Sequence, residues 1–288
     1  MAMSQHIRNP VEWSLDQLRN AERAVGSTGR ALHGAEETGR EPVIRRIGIT
    51  DLRSALAQGV GDLAANRSDV LFICLVYPLA GLLLMYLAFG YDMLPLIAPL
   101  AFAFALIGPA AAVGLYEMSR RREQGREVSW ADSFGVMRSP AFGEILVLAL
   151  LLLAIAGLWL AVAATIYAQT LGPEPPASLE SFVRDALTTG EGWAMILLGC
   201  GVGLLFALVV LMISVVSFPL LLDRHVGLLT AVRTSARAVL ANPRAMLTWG
   251  AIVAAGLALG SAPLLLGLIF VMPILGHATW HLYRKVVA

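Results

Sequence analysis

Two histidines, His277 and His281, are the side chains in the apolar part of this sequence whose type and spacing suggest chemistry. They lie four apart in Gly276-His-Ala-Thr-Trp-His-Leu-Tyr283, so a helix sets both imidazoles on one face, as metal or haem ligands require. No Cys or carboxylate in a comparable motif completes such a site. Beside them stand Trp280, Tyr283, Arg284 and Lys285, the residues of an aromatic and basic belt at a membrane edge. Two readings therefore stand together. His277 and His281 are weak metal candidates, and Trp280, Tyr283, Arg284 and Lys285 are expected to anchor a helix end at the interface. Anchoring, or hydrogen bonding within a bundle, is the plainer role for the histidines. His225, in Leu222-Asp-Arg-His225, sits in a loop beside an Asp–Arg pair.

No other constellation points to a reaction. Serines in the apolar runs are few and none has a histidine nearby in sequence. No Gly-rich phosphate loop with its lysine follows a strand pattern. Cys74 and Cys200 fall inside apolar runs and read as small buried hydrophobes, with neither disulfide nor metal spacing. No catalytic residue and no cofactor is assigned, which leans away from an enzyme. The net charge of +1 gives no reason to expect nucleic acid.

The elements that carry these residues are membrane helices. The 288-residue chain is 58% apolar and 14% charged, with a mean hydropathy of +0.73, where a soluble domain carries about 25% charged residues. Residues 1–69 hold nine Arg and nine acids; from Val70 the sequence becomes long apolar runs between short charged loops. A helix needs about 20 apolar residues to cross the hydrocarbon. Runs at 70–89, 94–116, 145–168 and 193–222 meet that length. The run 245–283 is too long for one span and short for two.

Charge resolves it. Cytoplasmic loops collect Lys and Arg. Arg120, Arg121, Arg122, Arg126 and Arg138 follow the second run, and Arg224, Arg233, Arg237 and Arg244 follow the fourth. The loop after the third carries Glu174, Glu180, Asp185 and Glu191 against Arg184 alone. With Arg284 and Lys285 also inside, the last run must cross twice, as spans 245–260 and 264–283 turning near Gly260-Ser-Ala-Pro263. The expected fold is an all-α bundle of six transmembrane helices with both termini cytoplasmic. Residues 1–49 form a partly helical or disordered tail, and residues 50–288 the membrane domain. The N-terminus has no apolar stretch with a small-residue cleavage site, so no signal peptide is expected.

An internal pattern divides the domain into three. Ser54–Asn66 aligns without a gap on Thr230–Asn242, pairing Ala55 with Ala231, Leu56 with Val232, Leu63 with Val239 and Asn66 with Asn242. A shorter stretch from Ser129 to Pro140 opens with the capping box Ser129-x-x-Asp132. Each precedes a hairpin, so the unit reads as interfacial helix, span out, span back. The returning spans each hold a proline, Pro109, Pro219 and Pro273, which frees a carbonyl and bends a helix. In the tail, Asn9-Pro10 starts a helical pattern through Trp13 and Val25. Pro42–Ile47 reads as an extended basic linker. No Asp, Glu, Lys or Arg falls inside any expected span, which argues against a proton pump or a carrier of charged solutes.

Three stretches resemble one bacterial family. They are Ile44-Arg-Arg-Ile with Asp51-Leu; Pro219–Arg224 with Ala231 and Ala238–Pro243; and Pro273–Arg284. Together they resemble domain of unknown function 2189, a family of integral membrane proteins sometimes labelled putative cytochrome c oxidase subunits, over roughly residues 43–288. The resemblance implies the bacterial inner membrane and a respiratory setting. It does not imply the oxidase reaction, because a haem–copper subunit needs several histidines within its spans. The leading expectation is a non-enzymatic accessory or assembly component that binds membrane lipids and other membrane proteins or itself. The alternative is a carrier or channel for a small neutral or lipidic solute.

Overall fold

The computed structural model describes residues 42–65, 74–90, 93–224 and 226–288. The tail helix through Trp13, the residues Asn66, Tyr91 and Asp92, and His225 lie outside the described residues. The described chain is helical throughout. Its α-helices are α1 (Ile49–Ala65), α2 (Val76–Gly90), α3 (Ile97–Ala111), α4 (Val113–Glu123), α5 (Phe142–Thr170) and α6 (Leu179–Thr188). They continue with α7 (Gly190–Ser214), α8 (Ser217–Asp223), α9 (Leu228–Ala241), α10 (Pro243–Ser261) and α11 (Leu268–Val286). Helices stand at each of the six expected positions. Four segments are long and apolar enough to cross a membrane: Leu94–Glu123, Phe142–Thr170, Gly190–Asp223 and Pro243–Ser261. In the first position the apolar helix Val76–Phe89 is shorter. In the last, α11 carries two histidines, Arg284 and Lys285 within 19 residues.

The prolines act unequally. Proline has no N–H for the carbonyl four residues back. Four residues before Pro219 is Val215, and there the chain breaks between α7 and α8. The break between α3 and α4, at Ala112, comes three residues after Pro109. Pro273 lies within the unbroken α11. The last hairpin turns over residues 262–267, slightly later than the expected 260–263. Leu264 and Leu265 take positive φ, 50° and 67°, a region that side-chain-bearing residues seldom adopt. Gly260 and Gly267 close this turn. A Cβ on Gly267 would lie 2.7 Å from the backbone of Gly260, so only glycine permits that approach.

The centre of the bundle is aromatic. Trp159 of α5 sits between Phe102 of α3 and Phe206 of α7, with ring centroids 5.1 and 5.6 Å away in edge-to-face geometry. Its indole N–H donates to the Pro99 carbonyl at 2.9 Å. Cys74 is buried as expected, whereas Cys200 faces outward from α7. At the end opposite the arginines, α6 was not foreseen. Ser178 caps it by accepting from the Ser181 N–H. Leu179, Val183 and Leu187, each four residues on, form its exposed apolar stripe.

The arginine-rich end holds the three short amphipathic elements. Ser129 and Asp132 form the capping box, with the Ser129 N–H donating to Asp132 at 2.9 Å. The capped element is a 3-10 helix over Trp130–Arg138. That helix packs on α4, α9 packs on α7 and α8, and α1 lies along α11. At aligned positions α1 and α9 bury the same face: Ala55 and Ala231, Gly59 and Ser235, Asp62 and Ala238, Leu63 and Val239. Residues 42–47 run extended across this end. Arg45 N–H donates to the Val286 carbonyl at 2.7 Å and Ala288 N–H to that of Val43 at 2.9 Å. Asn242 ties the same strand to α9, accepting from Ile47 N–H at 2.8 Å and donating to the Arg45 carbonyl.

Gly59 sets the closeness of α1 to α11. A Cβ there would lie 2.7 Å from the Ala278 nitrogen and the Ile274 carbonyl oxygen, backbone atoms that cannot move aside. Overpacking of this kind costs about 1–3 kcal/mol. Gly59→Val should therefore lower the melting temperature in detergent and expose α1 to protease, while Gly61→Val, which meets open space, should leave both unchanged.

Candidate functional site

Four residues from three helices meet where α1, α4 and α11 converge. Asp62 projects from α1, Ser119 from α4, and His277 and His281 from consecutive turns of α11. Ser119 Oγ lies 2.6 Å from Asp62 Oδ2 and 2.7 Å from His277 Nδ1. His281 Nε2 lies 2.9 Å from the same carboxylate oxygen. The other oxygen, Oδ1, faces Arg122 Nε at 3.2 Å, and Arg122 also donates to the Gly61 carbonyl.

Proton counting orders these contacts. The serine hydroxyl has one proton and two neighbours. With Asp62 ionised, the hydroxyl donates to Oδ2, and His277 Nδ1–H must donate to Ser119 Oγ. His281 donates from Nε2–H. The chain therefore runs His277 to Ser119 to Asp62, with His281 entering from the far side. That tautomer leaves His277 Nε2 as a bare acceptor, buried and without a hydrogen-bond partner. Burial would raise the Asp62 carboxyl, but hydrogen bonds from His281 and Ser119 and the nearby imidazoles outweigh it and hold it below its usual value.

Among the described residues, no group of three His, Cys, Asp or Glu side chains is arranged to hold a metal ion. The two histidines are instead hydrogen-bonded to a carboxylate and a serine. Of the four expected belt residues, Trp280 and Tyr283 point into the protein. Trp280 and Tyr283 are each 1% exposed. Trp280 Nε1–H donates to Glu123 at 3.0 Å and the Tyr283 hydroxyl to Asp223 at 2.7 Å. Arg284, exposed, spans both carboxylates. Lys285 is half-buried. Sequence reasoning missed Asp62, Ser119 and Glu117. Glu117, 2% exposed, binds Arg120 and Arg121 one turn along α4. The available signal was Asp62 itself, a charge at the repeat position where the aligned copy has Ala238.

Next to this cluster, and separate from it, is a cavity of about 330 Å³ walled by α3, α4, α7, α10 and α11. No charged side chain lines it. Its lining includes the hydroxyls of Tyr116, Ser214 and Thr279. Ser214 and Thr279 donate back to the carbonyls of Val210 and Leu275, so their free lone pairs remain as acceptors. The Thr279 hydroxyl is the polar neighbour of the Tyr116 phenol. The rest of the wall is aliphatic and glycine, with Phe102, Trp249 and Met272. The lining residues Leu204 of α7 and Leu247 of α10 are also exposed on the outer surface, so the cavity reaches the lipid-facing side between these helices.

Residues 96–223 match the family model described as predicted integral membrane protein (DUF2189). The resemblance to that family is shown over α3 to α8. DUF2189 thus covers the proline-broken helices and the 3-10 helix, as far as the end of α8 at Asp223. It leaves out the stretches around Ile44, Ala231 to Pro243 and Pro273–Arg284, on which the resemblance also rested. No curated protein and no solved structure matches the chain.

Removing the Asp62 charge leaves Arg122 and His281 facing a neutral amide. Breaking a buried ion pair costs about 3–5 kcal/mol, and half-exposed Arg122 places this one at the lower end. Asp62→Asn should therefore destabilise by about 3 kcal/mol. Because the folded carboxyl lies below its ordinary 3.8, its contribution is complete above that value and is lost as pH falls through the lowered one. In unfolding measurements the gap between wild type and Asp62→Asn should not shrink from pH 8 to 5, and should close only below 3.8.

Proposed function

We propose that this chain is a multi-pass protein of the bacterial inner membrane that holds an uncharged lipidic molecule in the cavity between α7 and α10. The observation that carries this reading is the cavity's form: about 330 Å³, apolar, open toward the lipid side, with three hydroxyls and one indole as the polar side chains of its lining. Ligand sites of this kind occupy about 300–1,000 Å³ with few polar groups fixing orientation. The lone pairs of Ser214 and Thr279 suit a hydroxyl-bearing head, and the absence of lining charges disfavours a phosphate or ammonium group. Of the two functions drawn from the sequence, this supports the carrier of a neutral or lipidic solute.

Six spans, with the arginine-rich end cytoplasmic, give this protein its setting. We read α2 and α11 as the first and last spans. Three hairpin units then form a ring in which each amphipathic element packs on the returning span of the unit before it. The 3-10 helix on α4, α9 on α7 and α8, and α1 on α11 supply the three joints. Single cysteines at Arg126 and Arg244, with Cys74 and Cys200 replaced, should react with an impermeant maleimide only from the cytoplasmic side, and one at Glu174 only from outside. The reverse pattern would overturn the topology.

Native mass spectrometry of protein released from mild detergent should show a bound neutral lipid. Ala254→Trp, which fills the cavity, should lower its occupancy about tenfold, corresponding to about 1.4 kcal/mol. Leu259→Trp, on the outer face at 74% exposure, should not. Equal occupancy in the two variants, or none in wild type, would sink the reading.

The accessory-component reading, including a place beside a respiratory complex, is second. It is supported by Trp130, Phe134 and Met137, which expose one apolar face of the 3-10 helix at the arginine-rich end. A stable partner that co-purifies with wild type and is lost on Phe134→Asp supports it; recovery as a lone species counts against it.

A further inference from the structure

The cluster of Asp62, Ser119, His277 and His281 takes no part in the cavity, yet it ties side chains of three helices into one hydrogen-bonded group. It joins three helices that the chain connects only through long intervening segments. Asp62 is 57 residues from Ser119 and 219 from His281. It also contains an unmet demand: His277 is 2% exposed, and its Nε2 lone pair has no partner. Imidazoles change charge between pH 5 and 8, and this one is buried in its neutral form.

We propose that the cluster is an acid-sensitive latch, in which a proton taken up at His277 releases α1 from α11. The charged and titratable groups that bear on His277 are Asp62 from α1, Arg122 from α4 and His281 from α11. Further along the seam, Glu123 and Arg284 pair with each other, and Asp223 of α8 holds Tyr283. Tyr77 of α2 is committed to the Ala111 carbonyl. None of these supplies an acceptor to His277 Nε2.

A proton arriving at Nε2 makes the ring a buried cation whose new N–H has no hydrogen-bond partner, a costly state. Asp62, whose carboxyl is held below its usual value, does not take that proton. When α1 lifts away, water reaches the imidazole and the cation is solvated. The undocked state therefore binds the proton more tightly, and by linkage acid favours it. His281 holds Asp62 from the edge of the cluster, where solvent reaches it.

Hydrogen exchange of the full chain in lipid nanodiscs tests the latch. Corrected for intrinsic rates, protection over residues 52–65 should fall by about tenfold for each pH unit through which only the undocked state binds the proton. Protection over α5 should not change. His277→Asn keeps an N–H directed at Ser119 and cannot ionise, so α1 should stay protected down to pH 5. His281→Gln keeps a donor to Asp62 and leaves His277 in place, so acid release of α1 should persist in it. Protection of α1 that ignores pH in wild type, or that falls equally in His277→Asn, overturns the proposal. Should His277→Asn not fold, imidazole 15N resonances of wild type decide. A neutral His277 protonated at Nδ1 while α1 is protected is the expected result, and a cationic His277 under a protected α1 overturns it.

Discussion

A carboxylate cannot stay ionised inside a packed helical seam unless several donors converge on it, and the arginine-rich end of this protein is assembled around that constraint. Asp62 is met by a serine, an imidazole and a guanidinium from two other helices. Those donors can reach it only because α1 approaches α11 at Gly59, where no side chain stands between the backbones. The extended 42–47 segment then bridges the end of α11 and Asn242. Packing, polar satisfaction and chain path at this end therefore depend on one contact distance.

The opposite arrangement holds in the bundle. Between α3, α5 and α7 the aromatic stack fills space, but toward α10 the packing is left open. The cavity beside Tyr116 and Thr279 lies one turn from Ser119 on α4 and beside His277 on α11. Polar chemistry thus follows the α4–α11 seam inward from the surface network of Glu123, Trp280 and Arg284, while the apolar cavity opens sideways. The two regions share helices without sharing residues.

Much of this was legible because membrane helices leave strong local signals. Apolar length placed α3, α5 and α7, and a Ser-x-x-Asp pattern placed the start of the 3-10 helix. Charge asymmetry turned the final run into a hairpin, and a turn is present at 262–267. The later turn position depends on Gly260 meeting Gly267, a tertiary contact that no local pattern encodes. The α6 helix was missed because its apolar stripe is short and interrupted by acids. The polar cluster was missed for a deeper reason. Its carboxylate arrives from α1, outside the expected spans, so charge-free spans give no sign of it. Trp280 and Tyr283 were read as belt residues because composition matches a belt, but their hydrogen bonds to Glu123 and Asp223 exist only when distant helices are assembled.

The pairing of α1 with α11 has a consequence for biogenesis. Asp62 and His281 are separated by 219 residues, and chains are synthesised at about 5–20 residues per second. For roughly 10–45 s after Asp62 leaves the ribosome, its final partners do not yet exist. Throughout that interval α1 must remain in water or at the headgroup surface with its acid solvated. The bundle is therefore built in an order opposite to its closure: α1, the first of the described helices to be made, is among the last to dock, and a chain truncated before α11 would carry an unclaimed amphipathic helix for quality-control proteases to find.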